Sequence, residues 1–154
     1  MKTLVVYDSI FGNTEKIAQA IADSLGSDSP IKLAGFVTLE QLKSADLLVF
    51  GSPTRSFAAT PAMMSLLESI PADGLDGKTA AAFDTRLKMT GLKGLLFGKM
   101  IDKGGYAAPI LAEQLRSKGA MIIQPPEGFF VQTEKGPLVH GEIERAETWA
   151  KSLL

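Results

Sequence analysis

Short apolar runs alternate with amphipathic helical patterns along this chain of 154 residues. The runs at 4–7, 46–51, 79–83 and 120–123 are rich in branched or small apolar side chains, which is typical of strands buried on both faces of a sheet. A more amphipathic run at 30–36 indicates a strand at a sheet edge. Apolar positions three or four residues apart follow these runs and indicate helices. The alternation predicts an α/β fold: a doubly wound, five-stranded parallel sheet with helices on both faces.

Capping residues mark several ends of the predicted helices. Thr38 and Thr60 each precede a helical pattern and are favourable N-terminal caps. Gly26 and Gly119 each follow a helical pattern, where glycine commonly ends a helix. No linker or repeat interrupts the alternation, so we expect a single domain over residues 1–154.

Composition restricts the possible functions. The net charge of −1 gives no broad electrostatic attraction to nucleic acid or to an anionic membrane. The chain has no cysteine, which excludes disulfides and thiolate chemistry, and no histidine and carboxylate cluster at ligand spacing supports a metal site. Asp8 interrupts the first apolar run too early for a signal peptide, and no apolar segment reaches membrane length. We therefore expect a soluble, cytoplasmic protein without membrane insertion.

Candidate chemistry is concentrated where the first strand meets the first helix. Residues 8–14 form a tight turn before a helix that the pattern predicts from Thr14. A helix N-terminus exposes unpaired N–H groups and the positive end of the helix dipole, which together favour an anion. Ser9 and Thr14 add hydroxyl donors, and Gly12 allows close approach of the backbone to a ligand. The turn predicts a phosphate site or, alternatively, a capped first helix of an unrelated α/β protein.

The turn differs from two common phosphate-binding motifs. It has no lysine of the Walker type, since Lys16 lies inside the helix, and it lacks the Gly-x-Gly-x-x-Gly pattern of dinucleotide folds. Neutral donors without an adjacent cation suit a monophosphate. The sequence Ser-x-Phe-Gly-x-Thr over residues 9–14 resembles the phosphate loop of the flavodoxin family, Ser/Thr-x-Thr-Gly-x-Thr, which binds the phosphate of FMN. The resemblance implies that FMN phosphate is held by Ser9, Ile10, Phe11, Gly12, Asn13 and Thr14, although Phe11 replaces a threonine and removes one hydroxyl donor.

The resemblance covers nearly the whole chain. Three loops, at 9–14, 52–60 and 84–106, follow the carboxyl ends of predicted strands. In the strand order of flavodoxins, the first is the phosphate loop and the other two bracket the isoalloxazine ring. The three loops are therefore expected to form one FMN site.

The second loop follows the buried strand at 46–51 and contains Gly-Ser-Pro-Thr-Arg. This run is similar to a loop of flavodoxin-like NAD(P)H:quinone reductases, in which Pro-Thr-Arg lies beside the flavin. The similarity implies that Pro53, Thr54, Arg55 and Phe57 lie near the ring, with Phe57 or Pro53 covering one face. Alternatively, the turn only ends the strand before the next helix.

The third loop departs from the family pattern. Flavodoxins usually carry a glycine-rich, acidic segment with a stacking Tyr or Trp here, whereas this chain has Asp84, Thr85 and Arg86. We expect Asp84 and Thr85 to meet the flavin directly after the fourth strand. Arg86 is expected to compensate negative charge near flavin N1 as the ring is reduced, unless it is a surface arginine paired with a carboxylate. Trp149, the only tryptophan, is expected to pack against the sheet.

Three further features of the chain are less specific. The apolar cluster at 92–101 indicates a small helix completing the core, a subunit interface or a lid over an apolar substrate. Tyr106 is a second candidate for a wall of the site. His140 has no partner motif and is expected at the surface or beside a helix start.

The expected function is redox chemistry carried by non-covalently bound FMN, without a catalytic side chain. The electron partner is expected to be a redox protein or a small-molecule acceptor. The basic residues Arg55, Arg86 and Lys88 and the missing ring-stacking residue argue against a simple electron shuttle. The alternative is an NAD(P)H-dependent FMN quinone reductase, although the sequence contains no recognisable nicotinamide site. Phe11 in the phosphate turn favours another alternative, a flavin-free binding module.

Overall fold

The computed structural model describes residues 1–88 and 105–154. Within those residues the strands and α-helices are β1 (Thr3–Tyr7), α1 (Asn13–Leu25), β2 (Ile31–Leu33), α2 (Leu39–Ser44), β3 (Leu47–Pro53), α3 (Pro61–Ser69), β4 (Thr79–Leu87), α4 (Ala107–Ser117), β5 (Met121–Ile122), β6 (Glu127–Val131) and α5 (Glu142–Lys151). A 3₁₀ helix, Ala34–Phe36, follows β2. The apolar cluster predicted at 92–101 lies outside the described residues.

The strands form a parallel sheet in the order β2-β1-β3-β4-β5, and β6 also pairs with β4. β5 pairs with the start of β4 at Thr79 and Ala80, and β6 pairs with its second half from Phe83 onward. The two strands are therefore successive segments along one edge of the sheet. Pro125 and Pro126 lie between them, and proline cannot donate a ladder hydrogen bond. The predicted doubly wound parallel sheet is confirmed. Its fifth strand position is shared by two short strands, β5 and β6.

Helices cover both faces of the sheet, as the alternation predicts. The period of two along β3 directs successive side chains to opposite faces. Leu48 and Phe50 pack with residues of α2, α3 and α4 on one face. Val49 packs with residues of α1 and α5 on the other face. The fold is therefore a three-layered α/β domain.

Trp149 packs against the sheet, which confirms the expectation from the sequence. Its ring meets Phe83 and Phe129 edge to face, and the three centroid separations lie between 6.1 and 6.3 Å. Edge-to-face contacts add to the hydrophobic gain of burying such rings. Trp149 thereby joins α5 to β4 and β6.

Two central strands are longer than the hydrophobic pattern predicts. β3 continues past Gly51 to Pro53, and β4 continues past Phe83 to Leu87. The extra residues are mostly polar, and hydrophobic periodicity reveals a strand only where its side chains enter the core. The prediction that residues 84–86 follow the fourth strand is therefore wrong, since they lie within it.

Most predicted capping residues act as expected. Thr38 forms a capping box with Gln41 at the start of α2, and the Thr60 hydroxyl accepts a hydrogen bond from Met63 N at 3.4 Å. Gly26 follows the last residue of α1. β2 is shorter than predicted because the chain enters the 3₁₀ helix after Leu33. Helix caps can be predicted from the sequence because they act within a few residues of the helix end.

Glu142 fastens α5 to the outer edge of β6. Its buried carboxylate accepts hydrogen bonds from Phe130 N at 2.7 Å and from the Arg145 guanidinium. A backbone donor on an edge strand has no strand partner on its outer side, so the carboxylate satisfies it. Burial raises the pKa of Glu142, but the hydrogen bonds from Arg145 and Phe130 outweigh burial, and the pKa lies below its ordinary value.

We expect Glu142→Gln to reduce the acid sensitivity of the fold. A carboxyl group whose pKa is lowered by folding stabilises the protein above its unfolded pKa, and this contribution is lost as the pH falls through the folded pKa. Glutamine does not titrate, so the variant's free energy of unfolding should decline less than that of the wild type between about pH 5 and about pH 3. Urea unfolding at both pH values measures the difference. The control Glu144→Gln, at an exposed position of α5, should keep the wild-type decline; an equal decline in Glu142→Gln would contradict the prediction.

Candidate functional site

A cavity of about 260 Å³ lies at the carboxyl ends of β1, β3, β4 and β6. Parallel strands bring their following turns to one edge of a sheet, which is where doubly wound proteins bind ligands. The lining consists of Ser9, Ile10, Phe11, Asn13, Thr14, Pro53, Thr54, Arg55, Ser56, Thr85, Arg86, Leu87, Val131 and Glu134. Most of the residues predicted from the sequence are thus brought together. Gly12, Phe57 and Asp84 are predicted site residues that do not contribute to the lining.

Gly12 forms the corner between β1 and α1. Its φ of +91° lies in the left-handed region, which suits glycine. Its N–H donates a hydrogen bond to Ser9 Oγ at 3.1 Å, which closes the turn. No side chain caps α1, although Asn13 and Thr14 in its first turn line the cavity. The N-terminal N–H groups of α1 and the positive end of its dipole are therefore available to an anion.

Thr14 and Thr85 connect α1 to β4 inside the cavity wall. Their hydroxyl oxygens are 2.7 Å apart, and both side chains are buried. One hydroxyl donates to the other, so the proton of the accepting hydroxyl is left for another acceptor. The pair can thus supply one hydroxyl donor to an anion at this end of the cavity.

Two cations lie beside Phe11, whereas the sequence of the turn predicts none next to it. The Arg55 guanidinium is 5.6 Å from the centroid of the Phe11 ring, and the Lys135 amine is 6.0 Å from it. Arg55 also pairs with Glu134 at 3.2 Å. Asn13 Nδ2 donates to the Lys135 carbonyl at 3.2 Å, which ties the segment after β6 to the first turn of α1. This end of the cavity is consequently more basic than its local sequence indicates.

Asp84 lies behind the cavity wall. Its carboxylate is fully buried, accepts two hydrogen bonds of 2.6 Å from Arg86, and accepts a third from Ala108 N at 2.9 Å. Burial raises the pKa of Asp84 above its ordinary value, and the hydrogen bonds from Arg86, Ala108 and Thr54 only partly oppose this rise. The structure therefore directs this side chain to Arg86 and the start of α4 and does not bring it to the lining. Arg86 pairs with a carboxylate, as in the alternative of a surface arginine, but it is not a surface residue, because its side chain is only 15% exposed and lines the cavity.

The Phe57 side chain does not line the cavity, where the sequence predicts it beside the flavin ring. Arg55 and Ala58 exchange two backbone hydrogen bonds, of 2.8 and 3.0 Å, and so close a tight turn. Ser56 and Phe57 at its tip have positive φ angles of 49° and 62°. The Phe57 side chain is 44% exposed, and it is Pro53 that lines the cavity.

Four lining residues are not predicted from the sequence: Ser56, Leu87, Val131 and Glu134. Val131 and Glu134 come from the end of β6 and the segment after it. The apolar run after Pro126 is a signal for these two residues, because it indicates a further strand. A strand parallel to β4 has its carboxyl end at the same edge of the sheet as the cavity.

Residues 1–88 and 105–154 contain no group of three or more His, Asp or Glu side chains that could hold a metal ion. In this same part of the chain, no helix is both long enough and apolar enough to cross a bilayer. His140 is exposed beside Gly141, the N-cap of α5, as expected.

The flavodoxin-domain family matches residues 4–120, a range that includes the turn after β1 and the ends of β3 and β4. The chain belongs to the flavodoxin family. The resemblance carried by the phosphate turn is thereby confirmed. Flavodoxins bind FMN and transfer electrons to redox partner proteins.

Individual flavodoxins and related structures agree with this membership. A flavodoxin of Aquifex aeolicus strain VF5 is 33% identical over 91 residues, which are 54% of this chain and 49% of that protein, so the match spans about half the length of the relative. Flavodoxin 2 of Bacillus cereus superposes with a TM-score of 0.75 at 22% identity, over 99% of this chain and 97% of the other. A WrbA-like flavodoxin of Agrobacterium tumefaciens gives 0.72 at 17% identity, over 97% and 92%. At such identities the two structures share the flavodoxin fold with this chain.

Proposed function

We propose that this protein binds FMN in the cavity and transfers electrons through it. The observation that carries the proposal is the start of α1: a helix of 13 residues begins at Asn13, directly after Gly12, without a side-chain cap, and its first turn lines the cavity. Such a helix end offers backbone donors and a positive dipole to a phosphate. When bound, FMN supplies the redox chemistry, because its ring accepts hydride or single electrons.

The described residues suit the two ends of FMN. The turn at 9–14 offers backbone N–H groups and the Ser9 and Thr14 hydroxyls to the phosphate. Polar groups at the ends of β3 and β4 line the same cavity and are proposed to face the ring. The residues proposed to contact FMN are Ser9, Ile10, Phe11, Gly12, Asn13, Thr14, Pro53, Thr54, Arg55, Thr85 and Arg86.

The size of the cavity is consistent with a partly exposed ring. Ligand pockets commonly measure about 300–1,000 Å³, and the described residues enclose about 260 Å³. A ring that extends beyond the cavity can exchange electrons with a redox partner at its exposed edge.

The neighbours of Phe11 compensate for the hydroxyl that this position lacks. Arg55 and Lys135 lie on the same side of the domain as the phosphate turn and reach the Phe11 ring. Their positive charges attract a phosphate over several ångströms without direct contact. The attraction of these two cations to the phosphate would replace the hydrogen bond that a threonine hydroxyl at position 11 would donate.

The rim of the cavity suits contact with an electron partner. Ile10 and Phe11 are 50% and 43% exposed, and Leu87 on the other side is also exposed. Exposed apolar side chains around a cofactor site favour docking of another surface. We therefore propose a redox partner protein as the principal electron partner.

We expect the purified protein to be yellow and to release FMN, identified by mass, when it is denatured. The apoprotein should then bind FMN at least about tenfold more tightly than riboflavin, because riboflavin lacks the phosphate that the turn is proposed to hold. Fluorescence titration of the apoprotein with each flavin measures both affinities. Equal affinities would contradict the assigned role of the turn. A colourless protein that binds neither flavin would overturn the proposal and favour a flavin-free binding module.

A second candidate function is NAD(P)H-dependent quinone reduction. The observation in its favour is that Arg55 lines the cavity and Lys135 lies beside Phe11, and both side chains are accessible to the phosphates of a dinucleotide. Anaerobic mixing of the FMN-loaded protein with NADPH distinguishes the two functions. Rapid bleaching of the flavin followed by reoxidation with a quinone identifies a reductase, whereas an unchanged spectrum identifies a carrier reduced by another protein.

A further inference from the structure

Arg86 is held in one position on the cavity wall. Its Nε and Nη2 atoms each donate a hydrogen bond of 2.6 Å to the Asp84 carboxylate. Its Cζ atom lies 3.5 Å from the centroid of the Tyr106 ring. The side chain is 15% exposed and lines the cavity. A bidentate ion pair combined with a ring contact fixes the plane of a guanidinium and leaves it little freedom.

Gly128 provides the space that this position requires. Asp84 pairs with Gly128 in the parallel ladder of β4 and β6, so a side chain at 128 would lie on the sheet face that carries Asp84 and Arg86. A Cβ atom there would collide with the Arg86 guanidinium. On the other side of β6, Arg145 donates a hydrogen bond to the Gly128 carbonyl. The strand therefore supports Arg86 at close range.

Asp84 is anchored by contacts other than Arg86. Its Oδ2 atom accepts a hydrogen bond from Ala108 N, and its carboxylate is hydrogen-bonded to Thr54. The Thr54 hydroxyl in turn accepts from Ala107 N at 2.9 Å. The carboxylate is thus fixed to the start of α4, on the buried side of Arg86. The cavity has a cation in its wall and an anion directly behind that cation.

Resting on the proposed function, we propose that Arg86 and Asp84 are opposed charges that together set the reduction potential of the bound flavin. Two electrons and one proton added to the neutral oxidised ring leave one net negative charge on it. A fixed guanidinium in the wall stabilises this charge, and the carboxylate behind it weakens that stabilisation. Arg86 has the larger influence because it lines the cavity, whereas Asp84 is fully buried behind it.

The test measures how tightly each variant binds reduced FMN relative to oxidised FMN. The two-electron potential is determined by anaerobic titration with dithionite in the presence of a reference dye, and oxidised FMN is titrated separately. Arg86→Gln should weaken binding of reduced relative to oxidised FMN at least tenfold, which lowers the potential by about 30 mV. Asp84→Asn should change the ratio in the opposite direction, because it leaves the Arg86 charge uncompensated. Arg86→Lys keeps the charge and should lie between Arg86→Gln and the wild type.

Matched charge changes away from the cavity serve as controls. Arg116 and Glu113 form an exposed ion pair on α4, and neither lines the cavity. Arg116→Gln and Glu113→Gln should each leave the ratio within twofold of the wild type. A purely structural role for the buried pair predicts no opposite shifts and no rescue by lysine.

The possible failures are distinguishable. If the wild type binds no FMN, the proposed function fails. If FMN binds but Arg86→Gln and Asp84→Asn shift the ratio in the same direction, or both stay within twofold of the wild type, the inference about the pair is overturned and FMN binding stands. If Asp84→Asn does not fold, the test uses the wild type, Arg86→Lys and Arg86→Gln. Equal reduction potentials in these three proteins would overturn the inference.

Discussion

The variant Asp84→Ala is expected to have a free energy of unfolding about 3 kcal/mol lower than that of the wild type. Removing one member of a buried ion pair leaves the other charge uncompensated, which typically costs about 3–5 kcal/mol. The lower end applies here because Arg86 retains access to the cavity and hence to water. The variant also loses the acceptor for Ala108 N at the start of α4. Urea unfolding of the apoprotein measures the difference.

An exposed ion pair provides the control for this prediction. Glu113 and Arg116 on α4 are 2.8 Å apart, but their side chains are 70% and 56% exposed. Exposed pairs contribute about 0–1 kcal/mol, so Glu113→Ala should change the free energy of unfolding by less than about 1 kcal/mol. If Asp84→Ala and Glu113→Ala were equally stable, the buried carboxylate would not support the wall as we describe.

The double variant Ser9→Ala, Thr14→Ala is expected to bind FMN at least tenfold more weakly. A hydrogen bond to a charged group contributes about 1.5–3 kcal/mol. The two losses should not add fully, because Ser9 Oγ also accepts from Gly12 N and the Thr14 hydroxyl is shared with Thr85. Fluorescence titration of the apoprotein measures the affinity. Riboflavin binding should change less than FMN binding, which separates phosphate contacts from a general loss of the turn.

A matched pair of substitutions tests whether hydroxyl removal alone explains such a result. Ser44 and Thr148 are exposed helical residues whose hydroxyls donate to carbonyls of their own helices, and neither lines the cavity. The variant Ser44→Ala, Thr148→Ala should bind FMN as the wild type does. Unchanged FMN affinity in the Ser9, Thr14 variant would remove these two side chains from the site.

The phosphate turn is the part of the site that the sequence predicts best. Its signals are local: Gly12 at the corner, hydroxyls at Ser9 and Thr14, and the helical pattern that follows. The turn after β3 is partly predictable, since the Pro-Thr-Arg run marks its position. The outward orientation of Phe57 is not, because it depends on the hydrogen bonds that close the turn between Arg55 and Ala58.

The wall formed by β4 depends on pairing that a single sequence does not reveal. Once β4 extends to Leu87, its alternation places Asp84 and Arg86 on one face of the sheet and Thr85 on the other. The ion pair and the hydroxyl contact between Thr14 and Thr85 follow from this alternation. A loop at the same residues would impose no such division.

Long-range pairing also explains the unpredicted charges near Phe11. Lys135 and Glu134 reach the phosphate turn only because β6 pairs with β4. More than a hundred residues of sequence separate them from the turn. Local patterns predict the start of α1. The position of Lys135 near it can be predicted only when the pairing of β6 with β4 is known.

The outer edge of β6 limits how another molecule can attach to this domain. The Phe130 N–H is engaged by Glu142, and the Phe130 carbonyl accepts from Val139 N. The opposite edge strand, β2, has only three residues. At these two places the described edges of the sheet therefore disfavour an incoming β-strand, the mode of contact that leads to persistent fibrils and swapped dimers. Exposed side chains at the cavity rim, such as Ile10 and Phe11, offer a different route of contact among the described residues, and small contacts of that kind dissociate readily.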